Sequence, residues 1–172
     1  MPACRDAMES VRRLLDEGVG FAVIDRLPVD ELGPETATRL YWLLGNMISK
    51  AVAQKWDGTM IYDVRDTGRE MTPGNGVRSS TTNAGQTFHT DNSFNLPPEH
   101  VALFCIQPAM AGGLSSVASF QPIYNQLLAE RPDLLDRLFQ PFWFDRQHEH
   151  APGDLNPANR WPVFRHNGDG IS

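Results

Sequence analysis

The sequence is poor in cysteine, in positive charge and in long apolar runs. Cys4 and Cys105 are its two cysteines, too few for a disulfide framework or a cysteine-based zinc site. The formal net charge of -6 leaves no basic stripe to attract nucleic acid. No apolar run approaches the roughly 18 residues of a membrane-spanning helix, and the charged first residues do not resemble a signal peptide. We therefore expect a cytoplasmic protein that binds a small molecule, not a nucleic acid or a membrane.

Turn-forming residues, in contrast, are abundant in this sequence. Thirteen prolines and fourteen glycines separate short apolar runs, a pattern that predicts many short elements. A chain of 172 residues is long enough to bury a hydrophobic core. We therefore expect a single domain over residues 1–172.

Apolar spacing distinguishes the predicted helices from the predicted strands. Helices are expected over residues 4–17 and 34–55, with two more beginning at Pro122 and Pro132. A polar loop is expected over residues 148–160. Short or continuous apolar runs predict strands at residues 21–24, 60–65, 87–91, 101–106, 114–120, 142–144 and 161–164. The resulting fold class is mostly β with flanking helices.

A possible metal-binding pair occurs at His89 and Asp91. Positions two apart on a strand project from the same face, so one ion can reach both side chains. Imidazole and carboxylate are the donors of the 2-His-1-carboxylate triad, which leaves open positions on Fe(II). A His-x-Asp triplet also arises by chance. Its setting strengthens the metal hypothesis: Phe88 precedes it, and a Gly-Gly-x-Ser turn follows at residues 112–115.

Residues 76–119 resemble the first half of the barrel in the TauD/TfdA family of Fe(II)- and 2-oxoglutarate-dependent dioxygenases. The resemblance implies a double-stranded β-helix, the jelly roll of clavaminate synthase-like enzymes. It implies that His89 and Asp91 bind the metal and that Ser115 helps to hold 2-oxoglutarate, with Ser116 the less favoured hydroxyl. The implied reaction consumes molecular oxygen, oxidises a small organic substrate, usually by hydroxylation, and releases succinate and CO2.

The resemblance also implies two residues that this sequence does not show. The family's distal histidine ligand and the arginine that pairs with 2-oxoglutarate should lie beyond Ser172. We therefore expect the N-terminal portion of such a dioxygenase, with an incomplete barrel whose uncovered strand edges would favour self-association. Alternative third ligands within the chain are His148, His150 and His166, whereas His100 is interpreted as a loop residue at the mouth of the site.

Further roles remain open from sequence. A non-catalytic, truncated or degenerate barrel relative is one alternative to the dioxygenase, and a zinc-dependent hydrolase on a similar barrel is another. Three residues are near enough in sequence to hold His89 in one tautomer, namely Asn83, Gln86 and Thr87. Four others could meet the substrate, and ordinary solvation is the alternative for each: Tyr62, Asp63, Arg65 and Arg78.

Overall fold

The computed structural model describes residues 2–72, 75, 77–92, 94–95, 97–146, 150–168 and 170–172. Within these residues the helices are α1 (Pro2–Asp16), α2 (Val29–Ile48), α3 (Phe120–Glu130) and α4 (Pro132–Leu138), with a 3-10 turn at Ser79–Thr81. The strands are β1 (Phe142–Asp145), β2 (Ala158–Trp161), β3 (His166–Asn167) and β4 (Gly170–Ile171). They form two antiparallel pairs, β1 with β2 and β3 with β4.

The chain forms two compact units, each built from two separated stretches. Unit 1 combines Met1–Ala51 with His100–Tyr124, and unit 2 combines Val52–Glu99 with Asn125–Ser172. The chain passes from one unit to the other within α3. The expectation of a single domain stays a prediction.

Unit 1 is organised around the packing of α1 on α2. Met8 of α1 and Ala37 of α2 are buried apolar side chains at 5% and 0% exposure. Within α2, Gly33 has a φ of 74°, which separates a first short turn from the regular helix that begins at Pro34. This break agrees with the prediction of Pro34 in the first turn, where the missing proline N–H costs no helical hydrogen bond.

The same helix ends earlier than predicted. Ser49 is extended, with φ -150° and ψ 161°, so α2 stops at Ile48 instead of continuing to about residue 55. Val52, which extended the apolar pattern, is 56% exposed. Without burial of that side chain, packing does not stabilise the additional turn.

The stretch after His100 is held against α2 by one aromatic residue. The Tyr41 hydroxyl donates a hydrogen bond of 2.8 Å to the carbonyl of Ala102, and the Tyr41 ring stacks on Phe104 with centroids 5.3 Å apart. Burial raises the pKa of Tyr41 above its ordinary value. His100 Nε2 also lies 3.2 Å from Asp16 Oδ1 at the end of α1. These contacts connect the two stretches that make up unit 1.

Unit 2 contains a long-looped β-hairpin. In β1 and β2, Phe142 pairs with Trp161 and Asp145 pairs with Ala158. Arg146, immediately after β1, donates from Nη1 to Asp154 Oδ2 at 2.6 Å and to the Asn156 carbonyl at 3.1 Å. The Arg146 N–H also bonds the Pro157 carbonyl, so one residue closes the base of the loop.

The core of unit 2 includes side chains from three parts of its sequence. Leu135 of α4 and Phe164 are each 3% exposed, and Phe94 is 8% exposed. The main-chain N–H groups of Val163 and Phe164 both donate to the Leu138 carbonyl, at 2.9 and 3.1 Å. This capping of α4 joins the helix to the chain that leaves the hairpin.

The strand content is lower than the sequence predicted. The strand predicted at residues 142–144 is confirmed as β1, whereas the strand expected at residues 161–164 is found earlier, as β2. The described parts of the chain contain more helix than strand and no closed barrel, which is consistent with the incomplete barrel that was expected. The predicted strands that do not form ladders are at residues 21–24, 60–65, 87–91, 101–106 and 114–120.

These differences have a common physical cause. An apolar run favours burial, but a strand also needs a neighbouring strand for its main-chain N–H and C=O groups. In the predicted strands, Val23, Leu103 and Leu114 are 85%, 80% and 97% exposed. At these three positions neither burial nor strand pairing stabilises an extended segment in the described structure. Among the described helices, none is long and apolar enough to cross a membrane.

The closure of the hairpin loop should make stability depend on pH. The hydrogen bond from Arg146, followed by that from the Asn156 N–H, holds the pKa of Asp154 below its ordinary 3.8. The stability that this lowered pKa contributes is fully present above the pKa of Asp154 in the unfolded state. It is lost as the pH falls through the pKa in the folded state. In Asp154→Asn the free energy of unfolding should therefore fall less than in wild type as the pH is lowered from about 5 to about 3.

Urea denaturation at several pH values measures this dependence. Asp136→Asn, an exposed change on α4, is the matched control and should retain the wild-type acid dependence. An acid profile for Asp154→Asn that overlays both wild type and control would contradict the proposed role of the ion pair.

Candidate metal site

His89 and Asp91 lie together in unit 2 without the strand that was expected to align them. His89 Nε2 is 3.6 Å from Asp91 Oδ1, and the two side chains are 46% and 54% exposed. The chain turns at Asp91 and Asn92, and Asn92 has a φ of 54°. Asparagine tolerates this left-handed conformation better than most residues with a Cβ. A turn therefore follows the pair directly.

The separation of the two donor atoms is compatible with a shared ion. In zinc sites, nitrogen and oxygen ligands lie about 2.1 Å from the metal, so two donors to one ion are at most about 4.2 Å apart. The observed 3.6 Å lies within that limit. The nitrogen and oxygen donors also suit a first-row divalent ion such as Fe(II). The pair therefore fits the metal that the resemblance implies.

The orientation of the imidazole is held by a main-chain contact. His89 Nδ1 lies 2.8 Å from the Thr87 carbonyl. A carbonyl only accepts hydrogen bonds, so the neutral imidazole has its proton on Nδ1 and its Nε2 lone pair on the side of Asp91. Metal-binding histidines commonly show this arrangement. Among Asn83, Gln86 and Thr87, it is Thr87 that makes this contact, through its main-chain carbonyl.

The segment after the pair is anchored in unit 2. The Asn95 N–H donates to the Asn92 carbonyl at 2.9 Å, and the Phe94 side chain is buried. The guanidinium of Arg78 lies 5.8 Å from the Phe94 ring centroid. Asn159 of β2 donates to the Phe94 carbonyl at 2.6 Å. Asn159 could not be recognised from the sequence, because this contact joins residues 65 positions apart and leaves no local pattern.

The proposed substrate residues also belong to unit 2. The Arg65 N–H donates to the Ser80 carbonyl at 3.0 Å, and Thr67 bonds the Thr81 carbonyl through both its N–H and its hydroxyl. Tyr62 is 43% exposed, and the Lys55 ammonium group lies over the Tyr62 ring, 5.0 Å from the ring centroid. Arg65 and Thr67 are thereby held beside the 3-10 turn. Roles for these residues in substrate binding stay predictions.

No third ligand is found among the residues that the structure describes. They contain no group of three or more histidine, cysteine, aspartate or glutamate side chains able to hold one ion. His166 stacks on Phe139 with ring centroids 4.6 Å apart, and His100 pairs with Asp16 in unit 1. His148 lies outside the described residues. Metal binding by His89 and Asp91 stays a prediction.

Ser115 belongs to unit 1, where it is exposed in an irregular stretch that also contains Ser116. Gly112 and Gly113, which precede it, have φ values of 72° and 70°, a conformation that glycine adopts readily. A Cβ at Gly113 would come within 3.0 Å of the Ala109 side chain, so this position favours glycine in two ways. The assignment of Ser115 to 2-oxoglutarate binding is untested.

Comparison with known proteins establishes the family. The profile of the family described as "Taurine catabolism dioxygenase TauD, TfdA family" matches residues 1–171. The chain belongs to the TauD/TfdA family. This confirms the resemblance, which had been based on His89, Asp91 and the turn before Ser115. Membership implies a jelly-roll fold, although the described residues of this family member contain only four short strands.

Two relatives of this TauD/TfdA protein differ in how much sequence they share with it. FR-33289 synthase of Streptomyces rubellomurinus is 33% identical over 155 residues, which cover 90% of this chain and 44% of the relative. A taurine hydroxylase-like protein of Stachybotrys chartarum is 34% identical over 70 residues, or 41% of this chain and 17% of the relative. The chain thus spans less than half the length of these relatives. No solved structure matches it.

The metal pair can be tested without turnover. His89→Ala and Asp91→Ala should each abolish measurable Fe(II) binding, because each removes one of two neighbouring donors. Anaerobic equilibrium dialysis measures the effect. His166→Ala and Asp136→Ala are matched controls from the same unit and should bind iron as wild type does. Equal iron binding by all five proteins would exclude the pair as the site.

Proposed function

We propose that this protein is an Fe(II)- and 2-oxoglutarate-dependent dioxygenase that hydroxylates a small organic substrate. The observation that carries the proposal is the 3.6 Å approach of His89 Nε2 to Asp91 Oδ1, with the imidazole held by Thr87. Membership of a dioxygenase family supports the same chemistry. The name of the fungal relative contains the word hydroxylase, which favours hydroxylation over other oxidations.

The residues of the pair would hold the metal and leave its other positions accessible. In a 2-His-1-carboxylate site, three positions remain for the co-substrate and oxygen. When bound, iron and 2-oxoglutarate supply the redox chemistry: R–H, O2 and 2-oxoglutarate give R–OH, succinate and CO2, with one oxygen atom in the alcohol and one in succinate. The half-exposed side chains of His89 and Asp91 are accessible to small molecules.

Groups for recognising anions are present elsewhere in the sequence. The hydroxyl of Ser115 can donate a hydrogen bond to a carboxylate of 2-oxoglutarate, the role that the family pattern suggests. Arg78 carries a guanidinium that suits carboxylate geometry, and its side chain is half-buried beside Phe94. We propose that the substrate is small and polar or anionic, bound in the cytoplasm without nucleic acid or membrane.

A non-catalytic barrel relative is the second candidate. It is favoured by one observation: the candidate ligands His89 and Asp91 lie together, and the described residues contain no group of three possible ligands. Such a protein would bind iron weakly and release no succinate. Nothing in the described structure favours the zinc hydrolase, which would need no 2-oxoglutarate.

The dioxygenase proposal predicts iron-dependent succinate release by the protein expressed from its complete coding sequence. His89→Ala and Asp91→Ala should reduce that release to background, because the metal no longer binds. His166→Ala, which alters an imidazole stacked on Phe139, should retain it. Succinate is measured with Fe(II), 2-oxoglutarate and oxygen, with zinc in place of iron as a further control. Equal release by wild type and both site variants would refute the proposal.

The role of Ser115 makes a separate prediction. A hydrogen bond to a charged group contributes about 1.5 kcal/mol or more, so Ser115→Ala should raise the KM for 2-oxoglutarate about 10-fold. Ser116→Ala is the matched control, one residue further along the same exposed stretch, and should leave that KM unchanged. The reverse result would transfer the role to Ser116, and no effect in either variant would remove it from this turn.

A further inference from the structure

Asn159 connects the β-hairpin of unit 2 to the chain that follows the metal pair. Its side-chain Nδ2 donates to the Phe94 carbonyl at 2.6 Å and lies 3.3 Å from Asn95 Oδ1. On β2, Asn159 is paired with Phe144 of β1. Its main chain is therefore fixed by a sheet ladder, while its amide reaches a segment three residues after Asp91.

Phe94 and Asn95, which Asn159 contacts, are held by further interactions. Phe94 is among the few buried side chains of the described structure, at 8% exposure. The Asn95 N–H closes a turn onto the Asn92 carbonyl, and Asn92 adopts the left-handed conformation. The burial of Phe94 holds the end of this turn, and the Asn159 amide fixes its carbonyl. Together they restrict the chain on the C-terminal side of Asp91.

The other side of the pair is restricted differently. The contact between His89 Nδ1 and the Thr87 carbonyl lies within three consecutive residues. Asp91 Oδ1 has its contact with His89 Nε2, but both carboxylate and imidazole are about half exposed. Local contacts therefore orient the histidine, whereas the turn that carries the aspartate is anchored from a distant strand.

The hairpin is itself a stiff support. Arg146, with a side chain only 12% exposed, closes the loop between its strands through Asp154 and the Asn156 carbonyl. Asn156 takes part through main-chain atoms, and its own side chain is exposed. Asn159, three residues later, is half-buried and directs its amide to Phe94. These neighbouring asparagines thus differ in whether the side chain connects to the turn.

From these contacts we infer that Asn159 is a positioning residue for the metal pair. By holding the Phe94 carbonyl it keeps the Asp91 carboxylate beside His89 Nε2, so that both donors are oriented before an ion arrives. This inference rests on the proposed function, in which the pair binds Fe(II). Residues outside the ligand set that orient metal ligands commonly change metal affinity about 10- to 100-fold when replaced. Asn159 acts through the main chain, so the lower end of that range applies.

The test uses iron affinity and the spectrum of bound cobalt. Asn159→Leu preserves side-chain size but cannot donate to Phe94, and it should weaken Fe(II) binding about 10-fold in anaerobic dialysis. The visible absorption of bound Co(II), which reports ligand geometry, should also change. Asn159→Gln retains an amide donor and should partly restore both properties. Asn156→Leu is the matched control and should behave as wild type.

The outcomes separate this inference from the proposed function. If wild type binds iron and folded Asn159→Leu binds it equally, with the same cobalt spectrum, Asn159 has no positioning role and the metal site stands. Loss of Fe(II) and Co(II) binding is expected for His89→Ala. If wild type also binds neither ion, both proposals fall. Circular dichroism establishes folding. Should Asn159→Leu not fold, Asn159→Ser replaces it under the same criteria, since its shorter side chain does not reach the Phe94 carbonyl.

Discussion

The contact of 2.8 Å between His89 Nδ1 and the Thr87 carbonyl determines which ring nitrogen is available to a metal. Because the carbonyl accepts only, the neutral imidazole has its proton on Nδ1 and directs the lone pair of Nε2 to the side of Asp91. A neutral imidazole in this tautomer is a ligand, whereas a protonated one is not. The proposed iron chemistry depends on this arrangement, and the contact joins residues only two positions apart.

Asp91 depends on longer-range organisation. It is followed by Asn92, which has a positive φ. Phe94 is buried, and its carbonyl accepts a hydrogen bond from Asn159. The hairpin that carries Asn159 is closed by Arg146. The pair therefore combines a local contact at His89 with a contact, beyond Asp91, between the two stretches of unit 2. A ligand pair on a turn can be oriented in this way without the strand that sequence periodicity predicted.

Helices were easier to predict than strands in this chain. The first helix was expected at 4–17 and is found at Pro2–Asp16, and helices were expected near Pro122 and Pro132, where α3 and α4 occur. Helical hydrogen bonds are made within the segment, so local spacing and proline positions carry most of the information. Strand bonds are made with another segment. Residues 101–106 illustrate the difference, since their uninterrupted apolar character could not supply a neighbouring strand.

The sequence by itself determined the family and the identity of the candidate ligands. His89, Asp91 and the turn before Ser115 were recognisable because their residue types and short spacings are local properties, and the match over residues 1–171 confirms the family. Tertiary structure alone decided that the candidate ligands lie at a turn and not on a strand, and that Asn159 contacts the chain after them. That contact spans 65 residues, and a hydrogen bond between such distant groups exists only after folding brings them within about 3 Å of each other.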